Sequence, residues 1–172
     1  GYLLFQVKNA LLDYISLSFL KLIISNKKLT SFFFSEKYQD TIEAFREVDT
    51  VFVKGGGFLH AHGENTAPYT MWYFFYYMNL AKQLGKKLVL LPNSYGPFDG
   101  LSVKSQFKKG LGKSDLILSR EQVSSDALSK LLNKEIPVVP DLGFYLNMNN
   151  EDDGRDILHK YGFKKEDKIV GI

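Results

Sequence analysis

The stretch TVFVKGGGFLHAHG, Thr50–Gly63, decides how this chain is read. It opens as a β-branched, apolar run, breaks into three glycines and closes on His60 and His62. A short run of this kind reads as a buried strand, and glycines at its end admit positive φ and close backbone approach. N–H groups exposed in such a turn can hold an anion. The same glycines can equally serve a tight strand exit packed against a helix. Their spacing matches neither GxGxxG nor GxxxxGK[ST], so no nucleotide site is read from them.

Downstream the pattern repeats. Strands are expected at Thr50–Lys54, Lys87–Leu91, Leu116–Ser119 and Pro137–Val139, and helices at Tyr69–Leu84, Ser102–Gly112 and Glu121–Leu132. This alternation predicts βαβ units in an α/β, Rossmann-like open parallel sheet with helices on both faces. Ahead of it, Lys8–Ser25 carries a helical apolar stripe, Leu29–Phe34 is readable as a strand and Glu36–Glu47 as a helix. Behind it, Asn147–Gly154 (NMNNEDDG) reads as a linker, Asp156–Tyr161 as a short helix and the final KIVGI as another strand. The expected division is an N-terminal domain over residues 1–146, then a linker and the start of a truncated second domain over 147–172.

At 172 residues the chain has room for one well-buried core, and 45% hydrophobic residues against 24% charged excludes a disordered chain. A net charge of +3 is too small to demand a nucleic-acid partner, though it suits an anionic small substrate. The absence of cysteine excludes disulfides, a thiolate nucleophile and a cysteine-based zinc site, and fits the cytoplasm, where the protein is expected. The greasiest runs, Leu11–Leu20 and Tyr69–Ala81, are shorter than the roughly 20 residues of a membrane span, so at most peripheral membrane contact is expected. An opening Gly1 with no basic leader reads as a piece of a longer chain rather than a signal peptide.

Ligands of an open parallel sheet gather outside the carboxyl ends of its strands. Here those ends carry Gly55, Gly56 and Gly57 with His60 and His62, then LPNSYGPF (Leu91–Phe98), then SREQVSS (Ser119–Ser125), then Pro140 and Asp141. Arg120, just past a buried strand and followed by Glu121 and Ser124, is placed to clamp a carboxylate or phosphate. The alternative is a bracing ion pair with Asp141 or Asp115. Asp141 can receive a proton, orient Arg120 or cap the chain after Pro140. His60 and His62, two apart, share a face of any continuing strand and can act as acid or base near neutrality. No third ligand is marked by spacing, so no metal is expected. The run TMWYFFYYM (Thr70–Met78) reads as a helix packed into a core or domain interface in preference to a sugar-stacking platform. Lys104, Lys108, Lys109 and Lys113 read as a solvated helix face, with contact to an anionic membrane surface as the other option.

Taken in order, VKGGGFL, LGKKLVLLPNSYGPF, SDLILSREQVSSDAL and VPDLGFYL resemble the polysaccharide pyruvyl transferase family over about Asp49–Leu146. The resemblance implies one half of a two-domain, B-type glycosyltransferase-like architecture. It also implies transfer of pyruvate from phosphoenolpyruvate, as a ketal, onto a sugar of a cell-surface polysaccharide or its precursor. By motif, Gly55, Gly56 and Gly57 fall in the family's glycine run, Asn93, Ser94 and Gly96 in its [Q/N]-S-x-G-P segment, Arg120 and Ser124 in R-[DE]-x-x-S, and Asp141 in P-D. Arg120 is then the anion holder, and His60, His62 or Asp141 handle protons. The implied partners are phosphoenolpyruvate as donor, with no other cofactor, and a saccharide acceptor, free or lipid-linked. The family's opening strand with its G-x-x-N-x-G-D type loop is not found here, and its basic second half would begin near KIVGI. The same frame serves nucleotide-sugar glycosyltransferases, and a non-catalytic scaffold domain is the reading from a different class.

Overall fold

Parallel strands β1 (Thr50–Val53), β2 (Leu59–His62), β3 (Lys87–Asn93), β4 (Tyr95–Asp99) and β5 (Leu116–Ser119) organise the chain up to Asp141. They form a three-stranded sheet ordered β1-β3-β5 and a two-stranded sheet β2-β4. The second pair continues the first. β3 runs into β4 with only Ser94 between them, whereas Lys54–Phe58 intervene between β1 and β2, so that the glycine run is thrown out as a loop. The computed structural model describes residues 2–146, 151–164 and 167–168.

Alternation along the strands sets the two sheet faces. Val51 pairs with Leu88, and Val53 with Leu90, which pairs in turn with Ile117. This row faces a core built from three helices: α4 (Ala67–Gln83), α5 (Val103–Leu111) and α6 (Gln122–Leu132). Phe75, Phe107, Leu111 and Leu128 are each at most 2% exposed there. α5 reaches α4 so closely that a side chain at Gly110 would enter the Phe75 ring. The opposite row runs Phe52–Val89–Leu116, with Phe52 61% and Leu116 41% exposed. The expectation of helices on both faces is therefore met on one face among the described residues. The reason is topological: the strand order advances in one direction, and right-handed crossovers then deliver successive helices to the same side.

Helices α1 (Tyr2–Ile23), α2 (Lys27–Phe33) and α3 (Glu36–Glu47) lead into the sheet. Leu17, Leu20, Ile24 and Ile42 pack with Tyr76 and Leu80 of α4, so this layer lies on α4. Two hydroxyls fasten it: Tyr69 Oη donates to Asp13 Oδ2 at 2.5 Å and Tyr76 Oη to the Leu17 carbonyl at 3.0 Å. The bond to Asp13 pushes the Tyr69 phenol up to about 12. α3 forms where expected. α2 corrects the strand reading of Leu29–Phe34, because Asn26 caps it by accepting from the Leu29 N–H at 3.2 Å, which commits the Thr- and Phe-rich segment to a helix.

The expected strand at Pro137–Val139 is reduced to a single parallel bridge between Val138 and Ser119. Prolines at 137 and 140 each lack a ladder donor and confine the pairing to that point. The second unit, Leu142–Ile172, contains a 3₁₀ turn at Leu142–Tyr145 and helix α7 (Glu151–Lys160). The helix expected at Asp156–Tyr161 thus starts earlier and absorbs the acidic end of the expected linker, a composition favoured in first helical turns. The rest of that linker, residues 147–150, and the strand expected at KIVGI, beyond Lys168, lie outside the described residues.

Asp115 ties three of these elements together. Its Oδ2 accepts from Lys82 Nζ of α4 and from the Leu88 N–H of β3, both at 2.7 Å. The Lys82 bond, then the Leu88 bond, hold its carboxyl below the usual aspartate range. The group's contribution to stability is therefore complete above its unfolded pKa of about 3.9 and is lost as pH falls through the lower folded value. Urea melts recorded across that acid window should show a steeper stability loss for the wild type than for Asp115→Asn. Parallel pH profiles for the two proteins would refute the assignment.

Candidate functional site

The loop between β1 and β2 divides its three glycines by task. At Gly55 a Cβ would collide with the Pro92 carbonyl oxygen of β3, so this glycine is required for the strands to pass. Gly56 supplies its carbonyl to the Ser94 N–H at 2.9 Å, pinning the loop to the β3–β4 junction. Gly57 alone looks outward: a Cβ there would sit 3.9 Å from Arg120 Nη2. Beneath the loop, Asn93 is fully buried, with Nδ2 donating to the Lys54 carbonyl at 3.4 Å and Oδ1 lacking a partner.

Arg120 follows β5 and its backbone N–H donates to the Asn93 carbonyl at 3.1 Å, so the end of β5 is locked beside the end of β3. The guanidinium is held at two of its nitrogens. Nε donates to Ser94 Oγ at 2.6 Å and to Glu121 Oε2 at 3.2 Å, while Nη1 reaches Asp141 Oδ2 at 3.3 Å. Its side chain remains 37% exposed. Of the two ion-pair partners weighed for Arg120, Asp141 is the one it meets; Asp115 is engaged with Lys82.

Glu121 is the residue that sequence reasoning left out of the site. Its carboxylate accepts from Arg120 Nε, from Ser94 Oγ at 3.1 Å and, in a very short contact, from Ser124 Oγ. Ser124, 4% exposed, accepts in turn from the Tyr95 N–H at 2.8 Å. Burial first, and then the Glu121 charge, push the Tyr95 phenol up. Ser124 therefore braces the site from behind. The signal for Glu121 was present in the acidic position of R-[DE]-x-x-S, between two residues already singled out.

The histidines stand on β2. His60 and His62 share a face, as their spacing required, with ring centroids 5.2 Å apart. His60 Nδ1 lies 2.5 Å from the Gly57 carbonyl oxygen, which can only accept. Nδ1 is therefore the donor in this contact, and Nε2 is the ring nitrogen left outside it. The His62 N–H donates to Glu64 at 2.9 Å. Backbone N–H groups of Glu64 itself and of His62 lower the Glu64 carboxyl from its usual range. Gly96 lies in β4 at φ +87°, a conformation that favours glycine, with the Phe98 ring 3.3 Å from where its Cβ would be.

The folded chain thus joins Gly57, Ser94, Arg120, Glu121 and Asp141 in one cluster, links His60 to it through the Gly57 carbonyl, and puts Asn93 and Ser124 underneath. Chemically, it offers a half-exposed cation of fixed orientation beside a backbone turn, with carboxylate and imidazole groups nearby. Among the described residues no three histidine or carboxylate side chains gather as a metal site. Likewise, no helix among them is long and apolar enough to cross a membrane.

Comparison with known proteins agrees with the motif series. The family model described as Polysaccharide pyruvyl transferase matches residues 5–171, reaching well beyond Asp49–Leu146 on both sides. No curated protein and no solved structure matches the chain. The chain belongs to the polysaccharide pyruvyl transferase family, which implies a transferase of polysaccharide biosynthesis.

The separate tasks of the glycines can be checked directly. Gly55→Ala should lower the unfolding free energy by about 1–3 kcal/mol through backbone overpacking, whereas Gly57→Ala should stay within about 0.5 kcal/mol of wild type. Denaturant titrations giving equal losses at both positions would contradict this division.

Proposed function

We propose that the protein transfers pyruvate from phosphoenolpyruvate onto two hydroxyls of a sugar in a cell-surface polysaccharide or its precursor, releasing phosphate. The reading is supported by family membership and carried by one observation: the Arg120 guanidinium, restrained on its Nε side, stands beside the Gly57 turn at the strand ends. Restraint matters because a cation already oriented loses little freedom on binding, and its donors match a planar carboxylate.

In this scheme the methylene carbon of phosphoenolpyruvate gains a proton and its neighbouring carbon becomes electrophilic. One sugar hydroxyl adds there, and a second displaces phosphate. Of the two hydroxyl protons lost, one balances the proton taken by carbon and the other leaves with phosphate. Arg120 holds the donor's carboxylate or phosphate, and His60 Nε2, His62 or Asp141 exchange protons with the reacting atoms.

Charge also bears on the architecture. Arg120 faces two carboxylates, Glu121 and Asp141, so the cluster by itself is not positive enough to neutralise a multiply charged donor. We therefore place further cations on a second domain facing this one across a cleft, in the B-type glycosyltransferase arrangement. We place the reaction in the cytoplasm, with the acceptor free or lipid-linked.

Arg120→Ala in the intact enzyme should reduce phosphoenolpyruvate-dependent phosphate release by roughly 10²-fold or more, as when one charge-stabilising donor is removed. Its unfolding free energy should change by less than about 1 kcal/mol, because the pairs it makes are half-exposed. Phosphate release at the wild-type rate, or a protein whose melting phosphoenolpyruvate leaves unmoved, would refute the proposal.

A further inference from the structure

A groove of about 390 Å³ runs over α4, between α1 and α5, and shares no residue with the strand-end cluster. Its floor is the stripe Trp72, Phe75, Tyr76 and Asn79, spaced as one face of a helix. One wall presents Tyr14, Ser18 and Lys21 of α1, also at helical spacing. The other presents Gln106 and Lys109 of α5 with two serines. This resolves the aromatic run of α4. Met71, Phe75 and Met78 face the core, while Trp72 stays half-buried, its ring 5.2 Å from that of Tyr14 at a 42° tilt.

Three features point to a ligand. First, no carboxylate lines the groove, whereas lysines stand on both walls, so it is electrostatically one-sided. Second, Gln106 Nε2 is spent on the Pro68 carbonyl and Ser102 Oγ, both at 2.9 Å, which fixes this wall, while Ser102 and Ser105 are exposed and offer hydroxyls to a ligand. Third, the Tyr14–Trp72 pair presents aromatic surface next to amide and hydroxyl groups, the combination that stacks a sugar ring and hydrogen-bonds its rim. The order of contacts lays this out along the groove. Tyr14 meets Trp72, Leu17 meets Tyr76 and the Lys21 carbonyl meets Gln83, so α1 runs parallel to α4 and Lys21 lies beyond the aromatic pair.

We propose that this groove is a second ligand site, distinct from the strand-end cluster, which holds a sugar unit of an acidic saccharide. The ring lies against Tyr14 and Trp72, the Ser102 and Ser105 hydroxyls meet its rim, and Lys21 and Lys109 take the anionic substituent. The choice of a saccharide over another anion rests on the proposed function. A site of this kind would grip the acceptor chain away from the position being modified.

Trp72 is the chain's single tryptophan, so its fluorescence reports on the groove. Titration of the intact protein with trigalacturonate should give a saturable change in that fluorescence, with neutral maltotriose binding at least about tenfold more weakly, and Trp72→Phe should weaken trigalacturonate at least about tenfold when binding is read by calorimetry. Lys21→Glu with Lys109→Glu, both exposed positions, should weaken trigalacturonate by at least about tenfold. No saturable signal, equal affinity for maltotriose, indifference to the lysine reversals, or tighter binding of UDP would each overturn the proposal. Melting shifts with phosphoenolpyruvate, taken on the same samples, report on the strand-end cluster, so either reading can fail while the other stands.

Discussion

At the ends of β1 and β3 two backbones pass so closely that a methyl group on Gly55 would overlap the Pro92 carbonyl. With Gly55 allowing that approach, the chain after β1 throws out Gly56 and Gly57 and resumes pairing as β2 beside β4, the continuation of β3. The excursion carries the Gly57 turn over the end of β5, where Arg120 emerges. Loop and strand break follow from this one steric allowance, and Ser94, Glu121 and Asp141 hold the guanidinium beside the loop.

What that allowance places is then held by a small polar hub. Glu121 accepts from Arg120 and from serines on both sides, one of which also receives the Tyr95 N–H. A carboxylate that accepts three hydrogen bonds is restrained, and it restrains the arginine attached to it. The site is therefore rigid on the protein side and open on the Gly57 side. The groove over α4 is built differently, from helix faces rather than strand ends, and its one-sided charge comes from lysines near helix C-termini. In that position a lysine also suits the helix dipole, so one residue can serve both ends.

Much of this was legible in the linear chain wherever periodicity ran unbroken. The strands at Thr50, Lys87 and Leu116 and the helices α3 to α6 follow from alternation and from three-to-four spacing. β2 and β4 escaped because they are short, polar at their ends and, in β4, carry Pro97, all of which argue against a strand in isolation. They exist because they pair with each other as extensions of strands already aligned. α2 was misread for a local reason: β-branched and aromatic residues suggested extension, and the Asn26 cap outweighed them. Among the site residues, Arg120 and the glycines announced themselves by position after a strand, while Glu121 was passed over as a neighbour of a more conspicuous charge.

The linear chain by itself determined an α/β class, three of the four expected motif-bearing strand ends, the absence of thiol chemistry and the family to which these belong. It did so because those are properties of composition, period and order, which survive without coordinates. Only the tertiary structure decided which of three adjacent glycines faces the cation, that Asn93 and Ser124 lie underneath rather than at the surface, and that Trp72 lines a groove while Met71 fills the core. Those outcomes depend on backbone crossings and helix rotations between segments far apart in the chain. No local pattern encodes them, because the atoms that make the difference come from another strand or another helix.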